Sequence, residues 1–117
     1  MPGKARRTLK IALRLLEIGA LDDAASRMYY AVFQAAVETL RRQGRTPSDL
    51  REGAKNWNHE MVARNAVLVR GHPEDGILLG RLRVMRERAD YGEESVERRW
   101  LELLKAEAAR FIEEVAT

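Results

Sequence analysis

Ser26-Arg27-Met28-Tyr29-Tyr30-Ala31-Val32-Phe33-Gln34-Ala35-Ala36 decides the fold of this chain. Met28, Val32, Ala36 and, one turn further, Leu40 recur at helical period, and Tyr29, Phe33 and Val37 form a second stripe beside them. An apolar face of that width predicts the central helix of a bundle. Adjacent helix positions lie about 100° apart, so one of the paired tyrosines can pack inward while its neighbour lies on the flank.

Working outward, Asp22 or Asp23 starts this helix, acids being favourable at a helix N-terminus. It runs to Gln43, and Gly44 stops it. Upstream, Leu9, Ala12, Leu13 and Leu16 form the stripe of a first helix, with Arg7, Lys10 and Arg14 opposite and Gly19 near its C′ position. Gly44 to Asp49 reads as a loop. A third, less regular helix is expected from Asp49 to Val69, weakened at Gly53, with a candidate break at Asn56 to Asn58; Met61, Ala66 (or Asn65) and Val69 would face the core. Gly71-His72-Pro73 ends it. A fourth helix is predicted from Glu74 to Asp90 on Leu78, Leu82, Met85 and Ala89, and Tyr91-Gly92 terminates it. Ser95 or a neighbouring acid would cap a fifth helix, with Val96, Trp100, Leu103, Leu104, Phe111, Ile112 and Val115 facing inward. No strand or hairpin signal interrupts the pattern. The expected fold is all-α, an antiparallel four- to five-helix up-and-down bundle forming a single domain over residues 1–117.

With 45% apolar and 33% charged residues the chain reads as soluble and globular. It has no cysteine, which excludes disulfides, thiolate metal sites and a cysteine nucleophile and fits a reducing cytosol. Met1-Pro2-Gly3-Lys4 leads into a charged amphipathic segment without a signal-type apolar run, and no stretch is apolar enough to span a bilayer. A cytoplasmic location is expected. The net charge of +3 permits nucleic-acid contact without arguing for it.

Few chemistries remain. His59 and His72 have no partner at i+3 or i+4, so no metal site is expected. Gly71, Gly76 and Gly80 are scattered and make no phosphate loop, and no serine sits in a Gly-x-Ser-x-Gly turn. Metal-free ribonuclease chemistry asks for less: a base to activate the ribose 2′-hydroxyl and an arginine to stabilise the phosphorane. The weak catalytic candidates are His59, His72 and Arg64, although Arg64 and His72 fall on different helical faces and across a helix end. Arg27 lies on the wide apolar helix, where a buried arginine needs an acid; Asp90 or Glu87 would serve, or Arg27 would bind a ligand. Tyr29, Tyr30 and Tyr91 read most simply as large core residues whose hydroxyls reach a partner or water.

Four blocks in order carry a resemblance: Ser26-Arg27-x-Tyr29-Tyr30-Ala31-x-Phe33-x-Ala35-Ala36; His59; Leu82-x-x-x-Arg86-x-x-Ala89-Asp90-Tyr91-Gly92; and Ala109-x-Phe111-Ile112-x-x-Val115. The chain resembles the HEPN domain family, in particular its small stand-alone prokaryotic branch, over residues 5 to 115. The resemblance implies an antiparallel four- or five-helix bundle, often homodimeric, with a minimal nucleotidyltransferase as partner in a toxin–antitoxin-like pair. It also implies nucleotide binding or metal-independent cleavage of RNA, without a cofactor. Ribonuclease members carry an arginine, usually followed by a polar residue, with a histidine after a gap of four to six. Here seven residues separate Arg64 from His72, and the Arg86 block has no histidine.

Three functions follow as expectations. The first is a homodimeric binding module with a ligand pocket of Arg27, Tyr30, His59, Arg86, Asp90 and Tyr91, arginines holding a nucleotide phosphate and tyrosine its base. The second is a divergent ribonuclease using His59 or His72 with Arg64 or Arg86. The third is a structural adaptor without ligand. The sequence does not fix the dimer face; an exposed part of the wide second-helix stripe is a candidate.

Overall fold

A computed structural model describes residues 2–92 and 94–116. Its helices are α1 (Pro2–Glu17), α2 (Leu21–Arg42), α3 (Pro47–Leu50), α4 (His59–Arg70), α5 (Pro73–Tyr91) and α6 (Arg98–Ala116), and no strand occurs among the described residues. The all-α bundle read from the sequence is what the chain forms, with five long helices and the one-turn α3.

α2 is the axis. It packs against α1, α4, α5 and α6, which is what two adjacent apolar stripes demand. Met28, Val32, Ala36 and Leu40 are all fully buried. This stripe of α2 is spent on intramolecular packing. Gly19 takes a left-handed φ of 82° at the end of α1, where a Cβ would be strained, so α1 turns sharply into α2. Arg6 of α1 grips Glu113 of α6 through Nε at 2.8 Å and Nη2 at 2.7 Å on the surface.

The expected third helix is divided, and the reason is local. Thr46 N–H donates to Asp49 Oδ2 at 2.7 Å, closing the single turn of α3 after Thr46-Pro47. Gly53 then adopts a φ of 76°. Asn58 accepts the N–H of Met61 at 2.9 Å and caps a new helix. The break therefore runs from Arg51 to Asn58 rather than lying only at Asn56 to Asn58.

α6 begins at Arg98, directly after Glu97. Ser95 is not its cap: Ser95 Oγ donates to Asp22 Oδ2 at 3.4 Å, and the N–H of Val96 donates to Asp22 Oδ1 at 2.9 Å. This ties the approach to α6 onto the first turn of α2. Leu101, Leu104, Ala108, Phe111, Ile112 and Val115 form the buried stripe of α6. Trp100 and Leu103, expected inside, are exposed. They sit one position away from Leu101 and Leu104, about 100° round the helix, and face a groove between α5 and α6.

Candidate functional site

On α2, Ser26, Tyr29, Tyr30 and Phe33 follow the i, i+3, i+4, i+7 spacing of one helix face. On α5, Arg83, Arg86, Glu87 and Asp90 follow the same spacing. The two helices pack together, and the N-terminus of α4 closes one end of the seam with His59. Because Asn58 caps α4, His59 is the first helical residue, and the cap fixes where its ring lies.

Tyr29 is the hub. Its ring stacks on His59 at 5.8 Å and on Phe33 at 5.8 Å, and meets Tyr30 edge to face at 5.6 Å. Its hydroxyl lies 3.0 Å from His59 Nδ1. Tyr29 is 4% exposed and Tyr30 41%, so the inward tyrosine organises the site and the outward one presents a ring to solvent. The Arg86 guanidinium sits 5.5 Å from the Tyr29 ring centre and 5.1 Å from that of Tyr30. These are cation–π contacts that hold the guanidinium beside the aromatic pair.

Asp90 holds Arg86 loosely. Nε of Arg86 is 3.5 Å from Asp90 Oδ2, within ion-pair reach, yet that buried nitrogen makes no hydrogen bond with any described residue. Asp90 is shared: Ser26 Oγ donates to its Oδ1 at 3.1 Å. Arg83 pairs with Glu87 at 3.2 Å one turn earlier.

The electrostatics favour a neutral core to the site. Burial pushes the Tyr29 phenol above its ordinary range, against the opposing influence of Arg86 and Arg83. Burial lowers the His59 pKa, reinforced by the positive charge of Arg83 and opposed by Glu60 and Glu87. At neutral pH the imidazole is uncharged, and the Tyr29–His59 bond has two forms. Either the phenol donates to Nδ1 and Nε2 carries the proton, or Nδ1–H donates to the phenol oxygen and Nε2 is a free base. Only the second form can abstract a proton from a ligand.

The depressed His59 pKa fixes a pH dependence of stability. Above the unfolded value of about 6.5 both states hold a neutral ring, and stability is at its plateau. As pH falls from there toward the lower folded value, the unfolded chain takes up the proton first and stability declines, levelling below the folded pKa. Denaturant midpoints measured across this window should fall in the wild type and fall less in His59→Phe. Partial exposure of His59 shallows the decline.

The other sequence candidates lie elsewhere. Arg27 is exposed and makes no ion pair with another described residue; Asp90 pairs with Arg86 instead, so the expected Arg27 pair with Asp90 or Glu87 does not form. Tyr91, one position past Asp90, is turned out of the seam and exposed, and is not the core residue expected. Arg64 is exposed on α4, about 140° round from His59. His72 is an exposed residue at the N-cap of α5 with Nδ1 3.3 Å from Glu74. Neither joins the seam. Sequence reasoning missed Tyr29 as the histidine's partner, and missed Ser26 as a ligand of Asp90 and Arg83 as a cation felt by His59. Their i, i+3, i+4 spacing from Tyr30 and Arg86 was the available signal.

The order of blocks along this seam, Ser26 to Phe33, then His59, then Arg86 to Asp90, now has a geometric meaning: they form one site. A family model for the HEPN domain matches residues 3–117. The chain belongs to the HEPN family. No curated protein gives a significant match. Among the described residues of this HEPN domain, no group of three or more His, Cys, Asp or Glu side chains can hold a metal ion. None of its described helices is long and apolar enough to cross a membrane.

Proposed function

We propose that this HEPN domain is a cytoplasmic nucleotide-binding module that works with a nucleotidyltransferase partner in a toxin–antitoxin-like pair. One observation carries the binding half: Arg86 is held against two tyrosine rings with none of its nitrogens hydrogen-bonded to a described residue. A buried guanidinium donor without an acceptor calls for an explanation. The side chain as a whole is 30% exposed, so a phosphate can meet the guanidinium from its open side, where arginine matches phosphate in a bidentate geometry. The exposed Tyr30 ring beside it offers a stacking face for a base. Arg86, Tyr30 and His59, with Asp90 as the loose counter-ion, form the pocket. The partnership and the location rest on the family resemblance and on the cysteine-free composition.

Titration with ATP, GTP, CTP and UTP, followed by calorimetry, tests the reading. Saturable binding of at least one of the four is expected. No saturable heat with any of them up to millimolar ligand would sink it.

The His59 geometry supports a second reading, a metal-independent ribonuclease. A neutral imidazole hydrogen-bonded at Nδ1, with Arg83 and Arg86 nearby, has the parts for 2′-hydroxyl activation and charge stabilisation. On this reading purified protein cleaves labelled RNA in EDTA and folded His59→Ala does not, whereas His72→Ala retains wild-type cleavage. Equal absence of cleavage in all three leaves the binding module alone.

A further inference from the structure

The Tyr29–His59 hydrogen bond can run in either direction, and its surroundings decide which. Tyr29 Oη and His59 Nδ1 are 3.0 Å apart, with one proton between them. The Tyr29 hydroxyl has no other partner among the described residues, and its side chain is 4% exposed. His59 Nε2 makes no hydrogen bond with a described residue either, yet it is not among the buried polar atoms left without a partner. It is therefore open to solvent at the rim of the seam.

Counting donors separates the two directions. If Nδ1–H donated to the phenol oxygen, the phenol proton would be left in the interior without an acceptor, at the full desolvation cost of that group. If the phenol donates, its proton and Nδ1 satisfy each other, and water or a ligand serves Nε2–H outside. The chemistry of the two groups agrees. A phenol is a stronger donor than a neutral imidazole N–H, and an imidazole nitrogen is a stronger acceptor than a phenol oxygen. Burial keeps the Tyr29 phenol protonated, while the positive charges of Arg86 and Arg83 draw on its hydroxyl. Burial and then Arg83 keep His59 neutral. The imidazole is also held in place. Asn58 caps α4 just before it, and the Tyr29 ring stacks on it with 26° between the planes.

We propose that Tyr29 is a positioning residue that holds His59 as the Nε2–H tautomer, so that the ring meets a nucleotide as a neutral hydrogen-bond donor to one of its oxygens and not as a base. The tautomer is a property of the free protein; the donor role rests on the nucleotide-binding reading. In this form the imidazole has no lone pair to offer, because Nδ1 accepts from Tyr29 and Nε2 carries hydrogen. It adds a donor to the pocket without adding a second positive charge to that of Arg86. Taking a proton from a ribose hydroxyl would first require the opposite tautomer.

Long-range proton–nitrogen correlation spectra of nitrogen-15-labelled, ligand-free protein read the tautomer directly, at a pH well above the ordinary histidine value of about 6.5. His59 and His72 are the two histidines of the chain, so His72→Gln assigns the His59 pattern. A pyrrole-type Nε2 and a pyridine-type Nδ1 are expected. Tyr29→Phe keeps the ring and removes the hydroxyl, and the two nitrogen shifts should then move toward one another as Nδ1–H becomes populated. A pyrrole-type Nδ1 in the wild type overturns the proposal and makes His59 a base. Unchanged nitrogen shifts in a folded Tyr29→Phe overturn the role of Tyr29. The bridging proton of the wild type keeps the test decisive if Tyr29→Phe does not fold. It should appear at low field without the one-bond nitrogen splitting that an Nδ1–H proton shows, and such a splitting would overturn the proposal.

Calorimetry with ATP, GTP, CTP and UTP tests the donor role. Glutamine carries an amide N–H at the reach of Nε2, and leucine carries none. His59→Gln should bind within about threefold of the wild type, and His59→Leu about tenfold more weakly. Wild-type affinity in His59→Leu, or equal weakening in both variants, overturns the donor role while nucleotide binding itself stands. Absence of binding in the wild type removes the nucleotide reading and the donor role together, and leaves the tautomer to be decided by the spectra.

Discussion

Replacing Arg70 by alanine is expected to destabilise the fold by about 3–5 kcal/mol, the cost of leaving a buried charge without its partner. Arg70 closes α4, and its Nε lies 2.6 Å from Oδ2 of Asp75 in the first turn of α5. Its Nη2 lies 2.6 Å from Oε1 of Glu114 on α6, and its guanidinium stands 5.0 Å from the Phe111 ring centre. One side chain thus joins three helices at the α4–α5 corner. Asp75 is only 1% exposed, and its Oδ1 makes no hydrogen bond with a described residue. Burial alone would lower the Arg70 pKa; the bonds to Asp75 and Glu114 outweigh it and raise it. Domain stabilities are about 5–15 kcal/mol, so this single truncation removes a large part of the total. Urea unfolding of wild type and Arg70→Ala measures it directly.

The control distinguishes the pair's attraction from the penalty of an orphan. A buried ion pair replaced on both sides by apolar groups of similar volume often loses nothing. Arg70→Met combined with Asp75→Leu should therefore be markedly more stable than Arg70→Ala. The exposed Glu114 arm contributes little, as surface pairs do, so Glu114→Ala should shift the midpoint only slightly. A cost below about 1 kcal/mol for Arg70→Ala, the range of a surface ion pair, would show that Asp75 is not held as a buried carboxylate.

Periodicity carried most of the architecture because burial on a helix follows 3.6-residue spacing, and the stripes of α1, α2 and α5 are the core stripes. It misplaced Trp100 and Leu103 for the same reason. An apolar residue one position off the core stripe looks the same in sequence whether it faces the interior or an outer groove. Arg27 was misread through its neighbours: Met28 and Tyr29 are buried, but position 27 is turned to solvent. The loose pairing of Arg86 with Asp90 was available as an i, i+4 spacing on one helix, and local geometry should have outranked a long-range pair with Arg27. The Tyr29–His59 bond was not legible, because thirty residues and a loop separate the two. Only the packing register of α2 against the capped start of α4 brings them together.

Arg86→Ala should weaken nucleoside triphosphate binding about tenfold to a hundredfold, the range set by charge-assisted hydrogen bonds. The melting midpoint should move little. Alanine removes a partly exposed ion pair with Asp90 and two ring contacts, but it also removes a buried Nε that has no hydrogen bond to lose. Arg86→Lys should fall between wild type and alanine. It keeps the charge, yet an ammonium cannot offer two parallel donors to one phosphate. Asp90→Asn should act in the opposite direction and tighten binding, since it withdraws a negative charge that competes with phosphate for Arg86 while an amide oxygen can still accept from Ser26. Calorimetry on the four proteins separates this from a structural role. If Arg86 only pins α5 to α2, the alanine and lysine variants will lower the melting temperature together and leave nucleotide affinity unchanged, and Asp90→Asn will not tighten it. Opposite signs for Arg86→Ala and Asp90→Asn place the phosphate in the field of this pair, and a loss of affinity in Arg86→Lys, which keeps the charge, shows that the guanidinium itself meets the phosphate.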